Sequence, residues 1–97
     1  MTPADKYLAK SSDIAARVLG DETIIMSSID STLFSLNATA TVIWQAADGK
    51  TPLARIIKNV CEEFDVAPER AWKDAEELIE KLVEHGILLV SDHPIQQ

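Results

Sequence analysis

Cys61, His85 and His93 are the residues of this 97-residue chain from which a nucleophile and its base could be drawn. Cys61 shares an apolar stripe with Ile57, Val60 and Phe64, where a thiol reads as a small buried hydrophobe. His85 falls at the end of a helical pattern, where an imidazolium would interact with the last carbonyls, and His93 falls in the tail. No group of His, Cys, Asp and Glu has metal-ligand spacing, so no catalytic residue, metal or cofactor is expected. Glu76, Glu77, Glu80 and Glu84 stand three and four residues apart, a spacing that would permit paired-carboxylate chemistry. The i, i+4 pairs Glu69 with Lys73 and Glu77 with Lys81 favour a solvated helix face, each worth about 0.2–0.5 kcal/mol. Gly20, Gly49 and Gly86 are isolated from one another, so no glycine-rich phosphate loop is present.

Charge narrows the choice further. The chain carries a formal net charge of −7. Between Glu62 and Glu84 nine acidic residues stand against three basic ones. A phosphate backbone or an anionic bilayer would meet net repulsion, whereas a basic partner would be attracted. The longest apolar run, Gly86 to Val90, is far short of the roughly 20 residues that span a bilayer, and Met1 to Lys10 hold no apolar signal core. With its single cysteine, the chain is expected in the cytoplasm and without an internal disulfide.

The elements follow from periodicity. Residues 1–13 hold no sustained period and read as a flexible N-terminus, the domain proper occupies 14–91, and 92–97 read as a flexible tail. Ala15–Leu19, Thr23–Ile29 and Thr32–Leu36 are β-branched and apolar runs separated by Gly20-Asp21 and Asp30-Ser31, which predicts a three-stranded antiparallel meander. Alternation turns Phe34 and Leu36 to one face and Leu33 and Ser35 to the other. Asn37 caps a helix over Ala38–Ala47 that carries Trp44 and ends at Asp48-Gly49. Thr51 with Pro52 caps a second helix ending near Phe64. Pro68 opens a third, whose apolar face includes Ala71, Trp72, Ala75, Leu78, Ile79 and Leu82 and which stops at Gly86. Residues 87–90 then read as a short strand or extended segment packed back on the core. The order gives an α+β, winged-helix-like domain: a three-stranded N-terminal sheet, three helices joined through a short turn at residues 48–51, and a C-terminal strand. A winged helix that bound DNA would need basic residues on its recognition helix, and none of the three helices offers a basic surplus. A transcriptional or protein–protein adaptor role is the alternative reading of this architecture.

A sheet so small leaves at least one strand unpaired on one side, and such an edge is a template for an extended peptide. Self-association into a homodimer through the same edge is the other use it allows.

The string Leu36-Asn37, Ala40, Ile43-Trp44, Asp48-Gly49 and Thr51, followed by Asp74, Leu78, Leu82 and Gly86-Ile87-Leu88, resembles the coenzyme PQQ synthesis protein D (PqqD) family over about residues 14–91. Members of that family are peptide-recognition domains of pathways that modify ribosomally made peptides. The resemblance implies a non-catalytic chaperone that binds a precursor's leader as an added strand and presents it to a radical S-adenosylmethionine maturase. On this chain it implies pairing along Thr32, Leu33, Phe34, Ser35 and Leu36, with a groove wall of Trp72, Ala75, Glu76 and Ile79. Asn37, Trp44, Asp48, Gly49 and Asp74 read as structural. For Asp74 the expected role is either to accept hydrogen bonds near the turn between helices one and two or to pair with Arg70.

Overall fold

The structure, a computed structural model, describes residues 6–12, 14–27 and 31–95. The order of elements is β1 (Tyr7–Lys10), β2 (Ile14–Leu19), β3 (Glu22–Ser27), β4 (Leu33–Leu36), α1 (Ala38–Gln45), β5 (Asp48–Pro52), α2 (Leu53–Phe64), α3 (Pro68–Glu84) and β6 (Leu88–Ser91). Two antiparallel sheets share one helical core, a meander ordered β2-β3-β4 and a second sheet ordered β5-β1-β6.

The meander forms as its alternation predicts. Leu19 pairs with Glu22 across the two-residue turn Gly20-Asp21, and Gly20 takes the positive φ of 66° that such a turn needs at its first position. Ile25, Phe34 and Leu36 point into the core, while Met26, Leu33 and Ser35 point out. The expected end of the second strand at Ile29, and Asp30 of the turn Asp30-Ser31, lie outside the described residues.

The second sheet contains the expected C-terminal strand and differs from the expected layout in two places. Tyr7–Lys10 lie within the segment read as a flexible leader, yet they form the central strand of this sheet, with Leu8 and Ala9 both buried. A strand covered on both faces shows no alternation, so its sequence carries no period-2 signal. Residues 48–51, read as a plain turn between helices, form most of β5 and pair with β1. β6 also pairs with β1 and not with the meander, so the trailing segment is an edge of a separate sheet. In the segment read as a flexible tail, the Ile95 N–H donates to the Gly49 carbonyl at 2.7 Å.

The helices are fixed by their ends. The Asn37 side chain accepts from the Ala40 N–H at 2.9 Å, and the Thr41 hydroxyl donates back to the Leu36 carbonyl at 3.3 Å, so β4 turns sharply into α1. Thr51 was the expected cap of α2, but the N-cap is Pro52 and has no side-chain hydrogen bond. Asp48 instead collects the donors of the preceding turn: the Lys50 N–H at 2.8 Å, the Thr51 N–H at 2.9 Å and the Thr51 hydroxyl at 3.1 Å. α3 closes in a Schellman motif, with Gly86 at φ 71°, the Gly86 N–H donating to the Val83 carbonyl and the Ile87 N–H to that of Leu82. Buried Ile87 and Leu82 sit at the positions whose apolar contact accompanies that motif.

The Asp48 turn makes a pH-dependent contribution. Donation first from the Lys50 N–H and then from the Thr51 N–H holds its carboxyl below the ordinary carboxylate range. A depressed folded value adds stability that is fully present above the unfolded value and lost as the pH falls through the folded one. Asp48→Ala should therefore lower the melting temperature at pH 7. The gap to the parent should begin to narrow as melts are repeated below about pH 4, where the unfolded chain takes up the proton first, and should close as the pH falls through the lower folded value.

Candidate functional site

β4 is an edge of the meander, bonded to β3 on one side alone. Which of its backbone groups are open follows from the antiparallel ladder. The Ser27 N–H donates to the Thr32 carbonyl at 3.0 Å, and the register pairs Met26 with Leu33, Ile25 with Phe34 and Ile24 with Ser35. Hydrogen-bonded and non-bonded pairs alternate along such a ladder. Thr32, Phe34 and Leu36 therefore turn their N–H and C=O groups toward β3, and Leu33 and Ser35 turn theirs toward the open side. Two donors and two acceptors stand ready in line.

The open side faces α3. Phe34 is held at the start of β4 by the His85 ring, edge-on at 4.9 Å between centroids, and by the Lys81 ammonium 5.8 Å from its ring centre. The Ser27 hydroxyl donates to the His85 carbonyl at 2.9 Å and ties β3 to the same helix end. Between β4 and α3 runs a groove of about 220 Å³, walled on the helix side by Leu78, Lys81 and Leu82, with Asn37 and Ala40 at one end. It adjoins a wider cleft of about 1110 Å³ between α1 and α3, with which it shares Asn37, Ala40, Leu78 and Lys81.

The strand residues expected at the site, Leu33, Phe34, Ser35 and Leu36, all line the narrow groove, and Thr32 is half-buried beside it. The four helix residues expected there do not. Ala75 and Ile79 are buried in the hydrophobic core, and Trp72 and Glu76 are half-buried on the far flank of the helix. At about 100° per residue the apolar stripe of α3 has two flanks. Leu78 and Lys81 lie on the flank beside β4, Trp72 and Glu76 on the other. The sequence marks the stripe but not which flank meets the strand.

The motif residues hold the frame around the groove. Trp44 is buried, and the Lys10 ammonium lies 5.0 Å from its ring centre while donating to the Gln45 carbonyl at 3.1 Å, which links α1 to β1. Gly49 takes φ 78°, and a Cβ there would run into the Ile95 carbonyl. Asp74 pairs with Arg70 at 3.5 Å across one helical turn, one of its two expected roles. The expected pairs Glu69 with Lys73 and Glu77 with Lys81 are not formed among the described residues; Lys81 turns to the groove instead. Cys61 is half-buried. Among the described residues no group of three His, Cys, Asp or Glu could hold a metal ion, and no helix is long and apolar enough to cross a membrane.

Comparison with known proteins bears on this arrangement. No curated protein matches the chain. A solved structure described as TbiB1 in complex with the TbiA(beta) leader peptide shares the fold with a TM-score of 0.72, over 82% of this chain and 93% of that one, at 20% sequence identity. The sequence model of the family described as coenzyme PQQ synthesis protein D (PqqD) matches residues 22–88. That span runs from the start of β3 to the start of β6 and takes in β4, α1, α3 and the groove between them. The match covers well over half of the chain, which therefore belongs to the PqqD family.

Proposed function

We propose that this chain is a non-catalytic recognition module that captures the leader of a ribosomally made precursor peptide as a strand added to β4, in the cytoplasm, and presents it to a radical S-adenosylmethionine maturase. The observation that carries the reading is the open edge at Leu33 and Ser35 lying directly beside a groove walled by α3. Family membership supports it, as does the fold shared with a protein solved with a leader peptide bound. The maturase rests on the family resemblance alone.

Strand addition divides the work between backbone and side chains. The peptide's main chain pairs with Leu33 and Ser35, which gives affinity for many sequences. Its alternate side chains enter the groove against Leu78 and Leu82, which gives selectivity. The intervening side chains lie on the outer face beside Leu33, which is 61% exposed.

The test is an amide-shift NMR titration of the whole chain with the leader segment of a small peptide encoded beside its gene. Saturable shifts should concentrate at residues 32–36 and 78–82. Leu33→Asp should weaken binding about fivefold, because it replaces an apolar cross-strand neighbour with a charge, and should leave the melting temperature almost unchanged. Absence of shifts at high peptide excess, with the maturase also present, would overturn the reading. Self-association through β4 and leader capture exclude each other, and sedimentation with and without peptide tells them apart.

A further inference from the structure

The narrow groove holds the strand-paired part of a peptide, but the concavity does not end with β4. Along β4 the chain runs from Phe34 beside His85 and Lys81 to Leu36 and Asn37 beside Ala40, so the strand runs opposite to α3. Past Asn37 the groove opens into the wider cleft between α1 and α3. The cleft is lined by apolar residues of both helices, Ala40 and Ile43 from α1 with Ala71 and Leu78 from α3. Around them stand the carboxylates of Asp65, Asp74, Glu77, Glu80 and Glu84, all exposed, against two cations, Arg70 and Lys81. Arg70 is already paired with Asp74. The cleft is thus an apolar trough with an acidic rim, continuous with the groove.

We propose, resting on the leader-capture reading above, that this cleft takes the segment flanking the strand-paired part of the leader, and that this flank carries lysine or arginine around an apolar side chain. Every described strand pair in both sheets is antiparallel. A leader added to β4 in the same sense runs from Asn37 toward Leu33, so the flank in the cleft is the one N-terminal to the strand. Its apolar side chain sits on Ala40 and Leu78, half-buried apolar residues of the lining, and its cations face Glu77 and Glu80. The charge requirement fits a rim that is solvated in the free protein, since exposed pairs tune selectivity and encounter more than total affinity.

The test is selection of phage displaying random 16-residue peptides on the full chain, repeated with Glu77→Gln/Glu80→Gln. The variant changes exposed side chains only, and a thermal melt checks that it folds like the parent. Peptides selected by the parent should combine an alternating apolar segment with lysine or arginine enriched on its N-terminal flank. The variant should select the same alternation without that enrichment. A peptide chosen by the parent should bind the variant about three- to tenfold more weakly at low salt, and the gap should close toward about 0.5 M NaCl. Selected peptides with the alternation but no basic flank, a basic flank confined to the C-terminal side, or equal affinity for both proteins would overturn this inference and leave strand capture standing. Selected peptides without the alternation would overturn strand capture and this inference with it.

Discussion

Ser35→Pro should reduce leader affinity by about ten- to a hundredfold while the protein stays folded. The Ser35 N–H is one of the two donors on the open side of β4, so proline removes it without breaking a bond to β3. Edge strands accept proline where the missing N–H faces solvent, and Phe34 before it is already extended. The ring also fills the space an added strand would take, and the peptide carbonyl that should accept from Ser35 is left without a donor. Melting should move by no more than about 8 °C, the shift expected of roughly 1 kcal/mol in a domain of this size. Ser35→Ala is the control: it keeps the backbone donor, and its affinity should remain within about twofold of the parent. Isothermal titration with the leader segment, beside thermal melts of all three proteins, checks both halves. An affinity for the proline variant equal to that of the parent would mean the leader does not pair with β4.

The elements that could be read from the sequence are those whose burial is one-sided. β4 alternates Leu33, Phe34, Ser35 and Leu36 between solvent and core, and α3 repeats Ala71, Ala75, Leu78, Ile79 and Leu82 on one stripe before Gly86 ends it. In each, a single sequence period maps onto a single interface. β1 and β5 lack that relation. Leu8 and Ala9 are covered on both faces, and Asp48–Pro52 looks like a turn because Asp48 and Gly49 are turn residues. Pairing with Tyr7 and Ala9, nearly forty residues or more away in sequence, makes it a strand. Gly49 shows the same limit: its positive φ is foreseeable, but its close approach to Ile95 depends on where the C-terminal segment docks.

The site was legible to a similar degree. Its strand half is local, so alternation names the side chains that face the groove. Its helix half depends on which flank of α3 lies beside β4, a packing decision that no helical period encodes. Leu78 and Leu82 were visible as stripe residues. Lys81 was visible as a salt-bridge partner for Glu77, and it reaches the groove because Phe34 offers its ring there.

Leu82→Ala is the second large effect, and it probes how closely fold and site are joined. Leu82 is fully buried, yet it also lines the groove beneath β4. Its carbonyl accepts from the Ile87 N–H at 2.8 Å in the motif that ends α3. Truncation to alanine leaves that hydrogen bond intact but opens a cavity among the core side chains, at a cost of about 3 kcal/mol. For a domain of this length the melting temperature should fall by roughly 12–24 °C, measurable by thermal unfolding followed by circular dichroism. Leader binding should weaken too, for two separable reasons. Part of the chain unfolds at the assay temperature, and the groove loses the buried side chain that supports its floor. Titrating at a temperature where the variant is fully folded removes the first cause and leaves the second, which should remain as a loss of about five- to twentyfold. A melting temperature within a few degrees of the parent would mean that Leu82 is not packed as described. A folded variant with parent affinity would place the leader's side chains elsewhere on the β4 edge, while keeping the backbone pairing that Ser35→Pro tests.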